Sequence, residues 1–205
     1  MNDEEIFYKS QIARDVLKTH NIHPASVLSS AGFDSVEEIA QALADKRIST
    51  GADYHADTWN YLASAGEKST DKLLAATPWL LAGLGLALAI ILGQKMYAIA
   101  SFGVLLVSSM AKRYAEIGNA IGGLGLMAAI GFAISGRWAW AGILLALVIS
   151  SFCGRARIMW YSEIIAARAI LSNEIFALLF STNRLNLRDN ATGKQIFYKP
   201  TSSSV

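Results

Sequence analysis

Cysteine, proline and histidine are scarce in this 205-residue chain: one, three and three copies. Cys153 has no partner, so an internal disulfide and a cysteine-based metal site are both excluded. It ends an apolar run and reads as a small apolar filler rather than a reactive or lipid-modified thiol. His20, His23 and His55, with Asp53 and Asp57 nearby, form no ligand set, because His20 and His23 straddle an expected helix end and no second pair completes a site. A glycine-rich phosphate loop and a nucleophile elbow are also missing, and no order of Ser, His and Asp selects a triad. No metal, cofactor or catalytic residue is therefore expected, and the chain reads as a non-enzyme. The opening MNDEEIFYKSQIARDVLKTHNIHPA starts acidic and lacks the apolar run of a signal peptide.

The most telling scarcity is charge between Thr77 and Gly154. Only Gln94-Lys95, residues 112–116 and Gly136-Arg137 interrupt that stretch, leaving four apolar runs: Pro78 to Gly93, Met96 to Ala111, Ile117 to Ser135 and Trp138 to Cys153. A spanning helix needs about 20 apolar residues, which each run reaches with its flanks. Backbone inside lipid must satisfy its own hydrogen bonds, so the runs are expected to be helices. A soluble bundle would show a polar face at helical period, and Leu80 to Leu92 has none. Merging the runs into two spans would bury Lys95 and Arg137 at mid-bilayer, at about 2.5–3.5 kcal/mol each. The expectation is an all-α, polytopic membrane protein with four transmembrane helices. It is divided into a cytosolic helical module (1–72), the membrane domain (73–154), an amphipathic or extended cytosolic helix (155–181) and a basic tail (182–205).

Charge is unevenly spread. Residues 1–72 carry 7 basic against 12 acidic residues, and residues 73–205 carry 11 against 4. The acidic leading segment argues against nucleic-acid binding, since phosphate contacts need a basic surface. Basic residues near span ends gather on the cytoplasmic side. Lys68, Lys72, Lys112, Arg113, Arg155, Arg157 and Arg168 fall on one side, and only Lys95 and Arg137 on the other. Lys112, Arg113, Arg155 and Arg157 are thus expected to face the lipid surface, with both termini cytoplasmic. Trp79, Trp138, Trp140, Trp160 and Tyr161 sit where interfacial aromatics belong.

The leading segment reads as four short helices. Ile6, Ile12, Val16 and Leu17 form a stripe on the first, which ends near Thr19. Pro24 opens a second that runs to Gly32. Ser35 and Glu38 form a capping box for a third, on which Val36, Ile39, Ala40 and Leu43 share a face. Asp53 to Ala63 reads as the fourth. About 70 residues hold only a marginal core alone, so this module is expected to pack on the membrane domain or on neighbouring subunits. After the fourth span, helical character continues from Arg155 to Phe180, either projecting or lying on the membrane. Asn190 to Gly193 is a turn signal between Leu185–Leu187 and Gln195–Tyr198, suiting a small hairpin.

In the third run Gly118, Gly122, Gly125, Ala129, Ala133 and Gly136 recur at steps of 4, 3, 4, 4 and 3, on one helical face. Small residues on one face let two membrane helices approach closely, within the bundle or between subunits. The span interiors hold Asn119 and serines but no ionisable side chain, which argues against a proton-coupled carrier. The chain is expected to be an inner-membrane subunit that forms homo-oligomers in the lipid bilayer. Its cytosolic helices would dock a protein partner in a secretion, conjugation or membrane-defence assembly. An oligomeric channel or membrane-permeabilising effector gated from the cytosol is the alternative.

Overall fold

The computed structural model describes residues 1–113 and 115–198, with 111–113 and 115–120 by their backbone alone. The chain is mostly helical and divides into two compact units. One joins Met1–Ala65 to the described part of Trp160–Val205; the other is Gly66–Met159.

In the first unit, α1 (Asp3–Thr19), α2 (Pro24–Ser30) and α3 (Val36–Ala44) form where the sequence places them. The Asn2 side chain caps α1 by accepting from the Glu5 N–H at 2.9 Å. Asp3, Glu4 and Glu5 occupy the first turn, where the helix dipole favours anions. Ser35 accepts from the Glu38 N–H, and the Glu38 carboxylate reaches back to the Asp34 N–H at 2.9 Å. The return arm of this capping box lies one residue earlier than the standard motif. All three helices end alike, with Asn21, Gly32 and Lys46 at positive φ. The next N–H then bonds back to Leu17, Leu28 and Ala42 at 2.9, 3.1 and 2.9 Å, as Schellman caps.

The fourth expected helix is shorter, α4 (Ala56–Leu62), and a strand precedes it, β1 (Ile48–Ala52). The helix running on from the fourth apolar run is α8 (Trp138–Ala169). The chain then turns, and Ser172 caps a separate helix, α9 (Asn173–Ser181), by accepting from the Glu174 N–H at 3.2 Å. The hairpin in the tail is present as β2 (Leu185–Asp189) and β3 (Gln195–Ile196). Asp189 closes its turn by accepting from the N–H groups of Ala191 and Thr192. β2 is the middle strand of an antiparallel sheet, pairing Leu187 with Ile196 on one side and Ile48–Ala52 with Asp189–Leu185 on the other.

This unit has an apolar core, with α9 at its centre. Ile175, Phe176, Ala177, Leu179 and Phe180 are buried among Ala13 and Leu17 of α1, Val27 and Leu28 of α2, Ile39 of α3 and Leu187 of β2. Each large side chain buried here contributes about 1.5–3 kcal/mol. The marginal core of the leading segment is thus completed by residues from the far end of the chain. Two sequence expectations need correction. Val16 is exposed, and the buried stripe of α1 is Lys9, Ala13 and Leu17. Trp160 and Tyr161 are core residues rather than interfacial ones, their rings 5.7 and 5.5 Å from that of Trp59.

The second unit contains most of α5 (Ala65–Leu92), all of α6 (Lys95–Arg113) and α7 (Ala115–Ile134), and α8 as far as Met159. α5 and α8 are long and apolar enough to cross a membrane; α6 and α7 have shorter apolar stretches, Lys95–Met110 and Ile121–Ile134. α5 carries Pro78 in its interior, which removes one ladder hydrogen bond. Gly93 and Gly136 take positive φ at the two chain reversals.

Candidate helix-packing seam of the apolar unit

Size, not polarity, sorts the side chains of the 66–159 unit. Apart from Asp71 and Pro78 of α5, its buried residues among those described are small: Ala82, Ser101, Val104, Ser108, Ala129, Ala141, Ser150, Ser151, Cys153 and Gly154. Its large apolar side chains point outward, with Ile90 and Ile134 each 83% exposed and Phe102 77%. On α6 the buried positions Ser101, Val104 and Ser108 follow helical spacing. Val104 and Ser108 meet Ser150 and Gly154 of α8 along a seam. The Ser150 hydroxyl donates to the Val104 carbonyl at 2.7 Å, a buried bond between helices.

Glycines make the seam tight. A Cβ on Gly154 would stand 2.6 Å from the Ser108 carbonyl oxygen. One on Gly85 of α5 would collide with the Ser101 hydroxyl and lie 3.2 Å from the Tyr97 carbonyl oxygen. One on Gly125 of α7 would lie 2.8 Å from Val148 Cγ2 of α8. At such separations only a missing side chain allows the helices to touch.

The six small residues expected to share a packing face therefore divide. Gly125 is at a helix contact and Ala129 is buried; Ala133 is half-buried. A Cβ on Gly122 meets nothing within 4 Å, and Gly136 lies past the end of α7 at φ 74°. The surroundings of Gly118 lie outside the described residues. Gly85, Gly154 and the serines were not singled out as seam residues. Their signal was the Ser101–Ser108 spacing matched by the Ser150-Ser151 pair.

The basic residues divide as well. Arg157 makes a two-pronged ion pair with Asp71 of α5, Nε and Nη2 donating at 2.5 and 3.0 Å, both side chains largely buried. It is therefore tied to another helix rather than presented to lipid. Arg155 is half-buried and directs Nε at Met159 Sδ, 3.4 Å away. The side chains of Lys112 and Arg113 lie outside the described residues. Arg168 belongs to the other unit, where it and Lys9 both donate to the Leu62 carbonyl. His20 and His23 are exposed and His55 is half-buried; among the described residues no three His, Cys, Asp or Glu gather as a metal site.

Between α5, α6 and α8 lies a cleft of ≈ 360 Å³. Leu84 and Gly85, Tyr97 and Ser101, and Gly142 and Ala146 line it. Compared with known protein families, curated proteins and solved structures, the chain matches none.

Proposed function

We propose that the chain is a non-enzymatic inner-membrane subunit. Its 66–159 unit crosses the bilayer four times, self-associates there, and holds the other unit in the cytosol to dock a protein partner. The observation that carries the reading is the inverted interior. Of 28 exposed large apolar side chains among the described residues, 22 belong to the 66–159 unit. Only 11% of the apolar window of α5 and 28% of that of α8 is buried, far below what core helices of a soluble protein require. Lipid is the solvent in which such a surface is stable.

Helix length supports four crossings. At 1.5 Å per residue, the 19 and 20 residues of α6 and α7 extend about 28 and 30 Å, near the thickness of the hydrocarbon core. The reversals at Gly93 and Gly136 bring Lys95 and Arg137 to helix ends instead of mid-bilayer. One hydrophobic core formed from both flanks supports placing both on the same side of the membrane, with an even number of crossings between them. Phe7 and Tyr8, adjacent on α1 and 65% and 66% exposed beside Asp3 and Glu4, suit a protein partner.

Reporter fusions after residues 72, 114 and 190 test the topology, and all three are expected to report cytosol. Periplasmic activity at the first or last would overturn it. Mass measurement in detergent should give a multiple of 22.1 kDa; a monomer that retains no cytosolic protein would sink the subunit reading. Ion flux through liposomes holding the purified protein would replace it with the channel.

A further inference from the structure

We infer that the cleft between α5, α6 and α8 seats one acyl chain of an anionic phospholipid, with its phosphate held by Lys95 and Arg137; this rests on the membrane reading above. The cleft exists because α8 presents Ala139, Gly142 and Ala146 there, at steps of three and four, where larger residues would close it. A Cβ on Gly142 meets nothing within 4 Å. At ≈ 360 Å³ the space falls in the lower range of small-molecule sites and suits a slender chain. The lining is mostly Leu, Ile, Ala and Gly, with polar atoms supplied by Tyr97, Ser101 and Trp138.

Charge at the rim selects the occupant. Lys95 stands two residues before the lining Tyr97, and Arg137 directly precedes the lining Trp138. Both are exposed, and neither has an ion-pair partner among the described residues. No Asp or Glu occurs between residues 72 and 115 or between 117 and 162. Two uncompensated cations beside an apolar cleft at a helix end are what an anionic headgroup requires. A second copy of the chain fits poorly, since its helix ends would bring the same two cations to the same rim.

The test uses the full chain, extracted in mild detergent, stripped of lipid and re-exposed to phosphatidylglycerol or phosphatidylcholine, with bound lipid read by native mass spectrometry. Phosphatidylglycerol should be retained at least tenfold better. The double variant Lys95→Gln/Arg137→Gln should lose that preference, and Ala146→Leu should lose retention of both lipids while melting at the wild-type temperature. Gly142→Val, smaller in reach, serves as the second cleft variant should Ala146→Leu not fold. Equal retention of both lipids by the wild type, or a preference unchanged in the double variant, would overturn the site while leaving the membrane reading intact. Recovery of the chain in the soluble fraction without detergent would overturn the membrane reading itself, and the site with it.

Discussion

Gly125 and Gly122 sit three positions apart on α7, and their surroundings separate their expected fates. A leucine at 125 drives a side chain into Val148, already 2.8 Å from where its Cβ would stand. Overpacking of this kind costs about 1–3 kcal/mol, so Gly125→Leu should lower the melting temperature in detergent. Gly122→Leu meets open space within the chain and should melt as the wild type does, unless a second copy covers that face. Loss of the oligomer at unchanged melting temperature would mark exactly that subunit contact at 122, while an unaffected Gly125→Leu would reject the seam. Ser150→Ala removes the bond to the Val104 carbonyl and should cost about 0.6–1.7 kcal/mol. At this scale the small-residue stripe was legible in sequence as a face. Which of its members touch a helix was not, because that depends on crossing geometry. Asp71 went unnoticed as the partner of Arg157 because 86 residues separate them.

α9 is the element on which the core built from both flanks depends, and its first turn carries a pH-sensitive link. Arg14 of α1 donates to Glu174 at 2.6 Å, and the Ser172 hydroxyl donates to the other carboxylate oxygen at 2.7 Å. Partial burial of Glu174 works to raise its pKa, but these two donors outweigh it and hold the carboxyl below its ordinary value of 4.5. The folded-state value is depressed, so the stabilisation is fully present above the unfolded pKa and fades as pH falls below it. Arg14→Ala should therefore lower the melting temperature at neutral pH, with the gap to wild type closing as the pH falls below the ordinary carboxyl value of 4.5 and Glu174 takes up its proton. A gap independent of pH would show that the ion pair contributes nothing. The helices α1, α2 and α3 were legible from caps and apolar spacing. β1 was not: Ile48-Ser-Thr-Gly-Ala has no strong alternation, and its partner strand lies 137 residues away at Leu185. The start of α9 was not legible, because only the short polar Ser172-Asn173-Glu174 separates Ile170-Leu171 from the apolar Ile175 to Phe180.

The whole molecule is one compact unit interrupted in sequence by a second, more apolar one. Composition alone exposed the apolar half, whereas the joining of both flanks into one core depended on long-range packing that no local pattern carries. Replacing residues 66–159 with a short Gly/Ser linker should give a detergent-free protein with a cooperative melt, since Trp59 and Trp160 already meet at 5.7 Å. Insolubility of that splice would show that this core cannot stand alone. The interruption also has a consequence for biosynthesis. Domains usually close as they leave the ribosome, N-terminal first. Here α1 and α2 must wait for α9, which is made only after every apolar helix has been translated. Leu17, Val27 and Leu28 stay uncovered while the 66–159 unit is made and are sheltered only when α9 arrives. Closure of this unit thus marks a finished chain: one stalled or cleaved after α8 would display those side chains to chaperones and proteases.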